Sequence, residues 1–271
     1  MSSRIHPIDQ SLVAMMRSKQ AMRGLFNGLC SPALVEMTAF AGYDFTIIDN
    51  EHGSANFETT ENMLRAARAC GLPALVRCLE HDIPRTLDAG ASGVQIPMVL
   101  SAAHAREIVK KVRYPRVSGF AGVSGERGCA YSVRAAGFGA LGGAAHDALS
   151  NEHVALVLMI ETPEAVNEAA AIAAVNGVDA VFIGPNDLAH SMGYENRFND
   201  PAVQAAIEKA VRGIASTGKC AGVLALTPEE EARYTAWGAS YFANVITSVI
   251  TKALKDGATA GRSSVVTQLS Y

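Results

Sequence analysis

The chain has 271 residues, close to the length of one α/β barrel and long enough for one large hydrophobic core. Hydrophobic residues make up 49% and charged residues 18%, a composition that excludes an intrinsically disordered protein. The net charge of −3 gives no electrostatic basis for binding nucleic acid or an anionic membrane surface. No apolar run has the roughly 18 residues of a membrane-spanning helix, and residues 1–22 lack a leader pattern. We therefore expect a cytoplasmic protein.

Short, apolar, β-branched runs alternate with amphipathic helical segments along the chain. Continuous apolar strands are typical of a parallel sheet that is buried on both faces. Eight such strands, each followed by a helix over a short connection, predict an α/β fold, a (β/α)8 TIM barrel. The predicted strands are Gly24–Leu29, Phe45–Asp49, Ala74–Cys78, Gly93–Met98, Ala155–Ile160, Ala180–Ile183, Ala221–Ala225 and Tyr241–Val245.

The intervening helices carry their own start signals. Serine, threonine or aspartate precedes a proline at four predicted helix starts, as expected of a capping residue followed by proline at the first helical position. The predicted helices include Pro32–Phe40, Glu58–Ala69, Ala102–Val112, Pro163–Val175, Pro201–Thr217 and Pro228–Trp237.

The alternation predicts one domain over residues 1–271. Its core spans about residues 24–256, with a peripheral N-terminal helix over 8–21 and a peripheral C-terminal tail over 257–271. The segment Arg116–Glu152 breaks the pattern, because it is rich in glycine and alanine and has no clear strand. It is too long for a simple connection, so we interpret it as a functional loop with a short helix.

Polar residues fall where the predicted strands end. Barrel enzymes carry their chemistry at the C-terminal ends of the strands. Five consecutive predicted strands, the second to the sixth, end in residues that stability alone would not favour. In chain order these ends are Asp49-Asn50-Glu51-His52, Arg77, Gln95-Ile96-Pro97, Glu161 and Gly184-Pro185-Asn186-Asp187.

Glu161 and Asp187 form a candidate metal pair. Carboxylate oxygens suit Mg²⁺ or Mn²⁺, and two protein ligands leave coordination sites for substrate and water. The alternative is that Glu161 is only the first residue of a helix, where its charge would favour the helix dipole.

Arg77 and His52 are candidate catalytic residues. The donors of Arg77 could neutralise an oxyanion or hold a carboxylate, or Arg77 could form an interior ion pair with Glu51 or Asp49. His52 is the best general base, since histidine titrates near neutrality. An exposed loop histidine is the alternative.

Gly184-Pro185 predicts a tight turn whose backbone N–H groups could hold a small carboxylate. A purely structural turn fits equally well.

Two other chemistries fit the chain poorly. The segment Gly137–Gly142 matches a dinucleotide fingerprint, but no strand precedes it and no βαβ unit contains it. A Schiff-base aldolase needs a lysine inside the barrel, and all seven lysines fall on predicted helices or, at Lys219, before a strand. A metal is therefore the remaining electron sink.

At these residues the sequence resembles the HpcH/HpaI family of metal-dependent (class II) pyruvate aldolases, from about Gly24 to Ile246. The most specific block is Gly177–Leu188, which contains Gly-Pro-Asn-Asp. The other matching segments are Gly42–His52, Val76-Arg77, Leu87–Ala91, Gln95–Met98 and Ile160–Thr162.

The resemblance implies a role for each candidate residue. Glu161 and Asp187 would bind the divalent metal, Mg²⁺ or Mn²⁺ first, with Co²⁺ and Zn²⁺ as further candidates. Arg77 would hold the keto oxygen of the substrate. The backbone at Asn186 and Asp187, in the turn that begins with Gly184 and Pro185, would hold its carboxylate. His52 would act as base, oriented by Asp49 or by Asp88 of a neighbouring subunit.

The implied reaction is reversible cleavage of a 4-hydroxy-2-oxo acid to pyruvate and an aldehyde, and the implied assembly is a hexamer, a trimer of dimers. Two rivals share the barrel. One is a CoA-dependent enzyme, either a citrate synthase of siderophore biosynthesis that joins acetyl-CoA and oxaloacetate or a CoA-ester lyase. The other is a binding barrel without catalysis.

Overall fold

The computed structural model describes residues 6–116 and 121–260, and in them eight parallel strands close into one barrel. Each strand pairs with the next in the chain, and β8 pairs with β1. The predicted single-domain TIM barrel is therefore confirmed. The strands are β1 Met22–Asn27, β2 Phe45–Asp49, β3 Ala74–Arg77, β4 Gly93–Ile96, β5 Ala155–Ile160, β6 Ala180–Ile183, β7 Cys220–Leu224 and β8 Tyr241–Val245.

Helices surround the barrel and connect its strands. Three of the four predicted capping side chains, those of Thr162, Asp200 and Thr227, accept a backbone hydrogen bond at the start of their helices, and Ser31 does not. The helices are α1 Ser11–Ser18, α2 Pro32–Phe40, α3 Phe57–Ala69, α4 Ile83–Asp88, α5 Ala102–Val112, α6 Ala144–His153, α7 Pro163–Ala173, α8 Pro185–Ser191, α9 Pro201–Ser216, α10 Pro228–Trp237 and α11 Ile246–Thr259.

Two apolar layers hold the barrel together. One lies between the strands and the surrounding helices, and the other fills the inside of the barrel. In the interior layer, the rings of Phe45 and Tyr241 meet edge to face with centroids 4.9 Å apart. This filled interior makes the barrel a rigid support for residues at the strand ends.

The N-terminal helix differs from its prediction. It was expected over residues 8–21 at the periphery, but α1 is shorter, and its Leu12, Val13 and Met16 are buried in the interior layer of the barrel. The correction has a simple cause, because α1 has an apolar face that the open end of the barrel can bury.

The first strand and the two terminal boundaries also differ in detail. β1 begins at Met22 rather than Gly24, because Met22 and Arg23 pair with Tyr241 and Phe242. The last helix, α11, runs to Thr259, past the predicted end of the core. Residues 261–271 of the predicted tail lie outside the described residues.

The segment predicted as a loop with a short helix, Arg116–Glu152, contains a 3-10 turn at Arg134–Gly139 followed by α6. No strand occurs between Ala121 and Glu152, and residues 117–120 lie outside the described part of the chain. In the parts of the chain that the structure describes, no helix combines the length and the apolar character that a membrane crossing requires.

Candidate active site

A cavity of about 480 Å³ opens at the C-terminal ends of the strands. It is lined by seven of the eight residues predicted for catalysis or substrate binding and not by the eighth, Asp88. No lysine of this chain lines it, which agrees with the exclusion of a Schiff-base mechanism. The lining residues are Phe26, Gly28, Asp49, His52, Arg77, Met159, Phe182, Gly184, Pro185, Asn186, Asp187, Leu224, Val245 and Thr247.

Arg77 ends β3 and is held by two acids. Its Nε and Nη2 donate to Asp49 Oδ1 and Oδ2 at 2.8 and 2.6 Å, and its Nη1 lies 3.2 Å from Glu51 Oε2. The guanidinium carbon lies 4.8 Å from the centre of the Phe26 ring. The interior ion pair considered for Arg77 is therefore present. Arg77 lines the cavity, and its Nη1 is the guanidinium nitrogen that makes no hydrogen bond to Asp49.

The register of the barrel explains this pair, since Asp49 and Arg77 are directly paired residues on neighbouring strands. Burial acts to raise the pKa of Asp49, but the hydrogen bonds and charge of Arg77 outweigh it and lower that pKa. Burial likewise acts to lower the pKa of Arg77, and Asp49 and Glu51 together raise it. Both groups are therefore held in their charged forms.

Asp49 also shapes the loop that carries the histidine. Its Oδ1 accepts the backbone N–H groups of Glu51 at 3.1 Å and His52 at 3.3 Å. These bonds fix the turn after β2. Asp49 therefore contacts the backbone of His52 and the side chain of Arg77, whereas the acid nearest the imidazole is Glu51, with Oε2 at 3.9 Å from Nε2.

His52 lines the mouth of the cavity, and its side chain is 65% exposed. Asp88 lies elsewhere. It ends α4, just before β4 begins, and so sits at the opposite, N-terminal end of the barrel. There its Oδ1 accepts from Arg127 Nη2 at 2.7 Å. One chain alone does not bring Asp88 to His52.

Glu161 follows β5 and is buried, with 3% of the residue exposed. Its Oε2 accepts the backbone N–H of Met98 at 2.7 Å. Burial raises the pKa of Glu161 to about 7, and the negative charges of Asp187 and Glu51 add to the rise, against the Met98 hydrogen bond and Arg77. Helix α7 begins at Pro163 after a Thr162 cap, so Glu161 precedes the helix rather than belonging to its first turn.

Asp187 lies one strand further on, in the first turn of α8, which begins at Pro185 directly after Gly184. Glycine is required at 184 by a close approach, because a Cβ there would lie 2.7 Å from Glu161 Oε1. The turn thus holds Asp187 beside Glu161, as the predicted metal pair requires.

The acid pair has the character of a cation site. Two carboxylates that repel each other, one of them buried, are stabilised when a cation lies between them. In the described residues no group of three or more histidine, cysteine or acidic residues suited to a metal occurs, and Glu161 and Asp187 are two carboxylates that could bind one. That number suits a hard cation that keeps positions for water and substrate.

Sequence reasoning did not include several residues of this site. Glu51 was considered only as a partner of Arg77, although it stands in the polar end of β2. Leu224 and Val245 are apolar ends of β7 and β8, and Thr247 lies in α11, so a pattern of polar strand ends does not select them. The Met98 contact is made by a backbone group, which the sequence does not reveal.

Comparison with known proteins identifies the family of this chain. The model of the family described as HpcH/HpaI aldolase/citrate lyase matches residues 22–250. The chain is 35% identical over 242 residues to a "hydroxypyruvate/pyruvate aldolase" of Cupriavidus necator, covering 88% of this chain and 86% of the relative. It is 36% identical over 236 residues to a "2-keto-3-deoxy-L-rhamnonate aldolase" of Klebsiella pneumoniae, covering 85% of each.

Solved structures give the same result. A "HpcH/Hpal aldolase/citrate lyase family protein" from Burkholderia cenocepacia J2315 superposes with a TM-score of 0.85 at 30% identity, covering 94% of this chain and 100% of the other. Citrate synthase SbnG superposes with a TM-score of 0.81 at 28% identity, covering 94% and 98%. From the matched sequence and the shared barrel, we conclude that this chain belongs to the HpcH/HpaI aldolase/citrate lyase family.

Proposed function

We propose that this protein is a divalent-metal-dependent aldolase, which reversibly cleaves 4-hydroxy-2-oxo acids to pyruvate and an aldehyde. The observation that carries the proposal is the acid pair Glu161 and Asp187: the buried Glu161 carboxylate feels the charges of Asp187 and Arg77, and those two residues line the cavity. The names of the curated relatives, which are aldolases of pyruvate-type substrates, support the same reaction.

Glu161 and Asp187 would hold the metal. A bound divalent cation supplies Lewis-acid chemistry, which stabilises negative charge that develops on an oxygen of the substrate. We favour Mg²⁺ or Mn²⁺, because both ligands are carboxylates, with Co²⁺ and Zn²⁺ as further candidates. The raised pKa of Glu161, caused first by burial and then by the charges of Asp187 and Glu51, supports the assignment, since a bound cation would stabilise the charged carboxylate.

The other residues then divide the work. His52 removes the proton of the C4 hydroxyl, and the C3–C4 bond breaks to release the aldehyde. The bonding electrons pass to the pyruvate half, whose keto oxygen gains negative charge and accepts a hydrogen bond from Arg77. A proton added at C3 then completes pyruvate. The backbone N–H groups of Asn186 and Asp187, in the turn that begins with Gly184 and Pro185, hold the substrate carboxylate.

Asp49 acts by positioning Arg77 and the His52 loop. We keep Asp88 of a neighbouring subunit as a candidate partner of the imidazole.

Pyruvate deuterium exchange tests this proposal. With Mg²⁺ or Mn²⁺ in D₂O, the protein should exchange the methyl protons of pyruvate, which NMR follows directly, and EDTA should abolish the exchange. Restored exchange after metal is added back, followed by cleavage or synthesis with a panel of aldehydes, would identify the other substrate. Equal exchange with and without EDTA would contradict the proposal.

A citrate synthase is the second candidate, because SbnG shares the barrel. A synthase releases free thiol from acetyl-CoA and oxaloacetate, and an aldolase does not. Thiol release measured with Ellman's reagent separates the two. A metal-binding barrel that neither exchanges pyruvate protons nor releases thiol would be a binding protein.

We also propose a homo-oligomer, in which helix α11 packs against a second copy of the chain. Of its 14 residues only Ile246 is buried, while Val249 and Leu254 on the same side are 40% and 68% exposed. A cleft of about 700 Å³ lies outside β1 and β8, lined by Gly24, Phe242 and residues of α10. In a barrel the helix after the last strand covers this face.

The α11 helix of a second copy fits that cleft, which gives a twofold dimer that could build the expected hexamer. Leu254→Glu with Val249→Glu should dissociate the assembly, as measured by light scattering, whereas Thr259→Glu at the helix end should not. An unchanged mass would contradict this packing. A cytoplasmic location remains a prediction.

A further inference from the structure

Met98 adopts a backbone conformation that L-amino acids rarely take. Its φ is +55°, and in the described residues only three other non-glycine positions, Lys19, Phe138 and Glu195, have positive φ. The residue follows β4 on the turn that leads to α5, and 49% of it is exposed. Packing of this side chain therefore does not account for the conformation, which points to a role for the backbone.

Two hydrogen bonds attach this turn to the end of β5. The N–H of Met98 donates to Glu161 Oε2 at 2.7 Å, and the N–H of Val99 donates to the carbonyl oxygen of Met159 at 2.9 Å. Met159 and Glu161 are two residues apart at the end of β5. The Val99 hydrogen bond therefore fixes the turn to the β5 backbone, and the Met98 hydrogen bond reaches the Glu161 carboxylate.

The opposite side of the carboxylate is also fixed. Gly184 lies so close that a Cβ there would be 2.7 Å from Glu161 Oε1 and 2.8 Å from Cγ. Oε1 accepts no hydrogen bond from the described residues, whereas Oε2 accepts the Met98 N–H. The Glu161 carboxylate thus lies between the Met98 N–H and the Gly184 backbone. Its Oε2 accepts a hydrogen bond, and its Oε1 accepts none from the described residues.

We propose that Met98 is a positioning residue of the metal site. Its left-handed backbone directs an N–H at Glu161 Oε2, which fixes the carboxylate so that Oε1 is presented for the cation. This inference rests on the proposed function, since it takes Glu161 as a metal ligand. Hydrogen-bonded partners of metal ligands typically contribute about 10- to 100-fold in metal affinity.

The test measures the affinity of the full chain for Mn²⁺ by isothermal titration calorimetry, alongside thermal unfolding. Met98→Pro removes the donor and fixes φ near −65°, so Mn²⁺ should bind about 10- to 100-fold more weakly. Met98→Gly keeps the N–H and favours the left-handed conformation, so it should bind Mn²⁺ as the wild type does.

Lys19 gives a matched control, because it has the same backbone conformation, φ +56°, at the end of α1 and away from the cavity. Valine disfavours positive φ at both positions. Met98→Val should lower both Mn²⁺ affinity and the unfolding temperature, while Lys19→Val should lower only the unfolding temperature. If Met98→Pro fails to fold, this pair decides the question.

Wild-type Mn²⁺ affinity in folded Met98→Pro, or in Met98→Val, would overturn the positioning role. A failure of the proposed function gives a different result, because wild-type protein would then bind no Mn²⁺ or bind it equally well after Glu161→Gln.

Discussion

The two halves of the candidate site handle charge in opposite ways. At the ends of β2 and β3, Arg77 lies between Asp49 and Glu51, so positive and negative charges are matched within the chain. At the ends of β5 and β6, the charges of Glu161 and Asp187 repel each other, and no lysine, arginine or histidine in the described residues forms an ion pair with either.

The difference shows which part of the site the chain completes by itself. The paired half is preorganised, because Asp49 holds the guanidinium by two hydrogen bonds, at Nε and Nη2, and Glu51 lies beside Nη1. In the acidic half the charged form of Glu161 is unfavourable, because burial and then the charges of Asp187 and Glu51 raise its pKa to about 7. That half is stabilised only when a cation binds, so the two halves should respond differently to mutation and pH.

The largest effect is expected from the acidic half. Glu161→Gln and Asp187→Asn should each reduce pyruvate proton exchange by a factor of about 10³ or more, since the Lewis acid contributes several kcal/mol. Both should also weaken Mn²⁺ binding. Glu208→Gln, an exposed acid on α9, is the matched control and should exchange normally. Full exchange in either site variant would remove the metal role from that residue.

A smaller effect is expected from the paired half. Arg77→Ala should lower turnover by about 10² to 10³, the loss typical of a missing oxyanion donor, in a steady-state cleavage assay. Arg212→Ala, which removes an arginine on the surface of α9, should be nearly silent. Near-normal turnover in Arg77→Ala would reduce Arg77 to a structural ion-pair partner of Asp49.

Stability should change in opposite directions in the two halves. Asp49→Asn leaves Arg77 buried with Glu51 alone, so unfolding in urea with EDTA should show a loss of about 3 kcal/mol. Glu161→Gln removes a buried charge and keeps an acceptor for the Met98 N–H. It should raise the free energy of unfolding of the metal-free protein by about 3 kcal/mol at pH 8. If both variants changed the free energy of unfolding in the same direction, the two halves of the site would not differ as described.

The smallest effect is a dependence on pH. Glu161 has a pKa of about 7 in the folded chain against 4.5 as its ordinary value, so the folded state binds its proton more tightly than the unfolded state. The resulting contribution to the free energy of unfolding is fully present below pH 4.5 and is lost as pH rises through 7. The advantage of Glu161→Gln in EDTA should therefore vanish near pH 4.5. Asp49 has a pKa lowered from 3.8, so the deficit of Asp49→Asn should stay constant between pH 5 and pH 8. Urea titrations at several pH values measure both.

The bounds of most strands were predictable, because the local sequence patterns agree with the elements of the folded barrel. Apolar runs and proline-started helices predicted all eight strands to within two residues of their observed ends. β1 differs by two residues because its pairing with β8 sets its start. The role of α1 was not predictable, since an amphipathic helix can pack on any apolar surface, and only the closed barrel offers its open end.

Sequence alone determined that acids, one arginine and one histidine stand at successive strand ends, because strand order in a parallel barrel follows the chain. Tertiary structure decided how they pair. The register sets Asp49 opposite Arg77, the left-handed turn at Met98 reaches Glu161, and Gly184 lets α8 approach. The tertiary structure also places Asp88 at the N-terminal end of the barrel, opposite the candidate site. These contacts join residues distant in the chain and depend on distances of a few tenths of an ångström, which no spacing in sequence encodes.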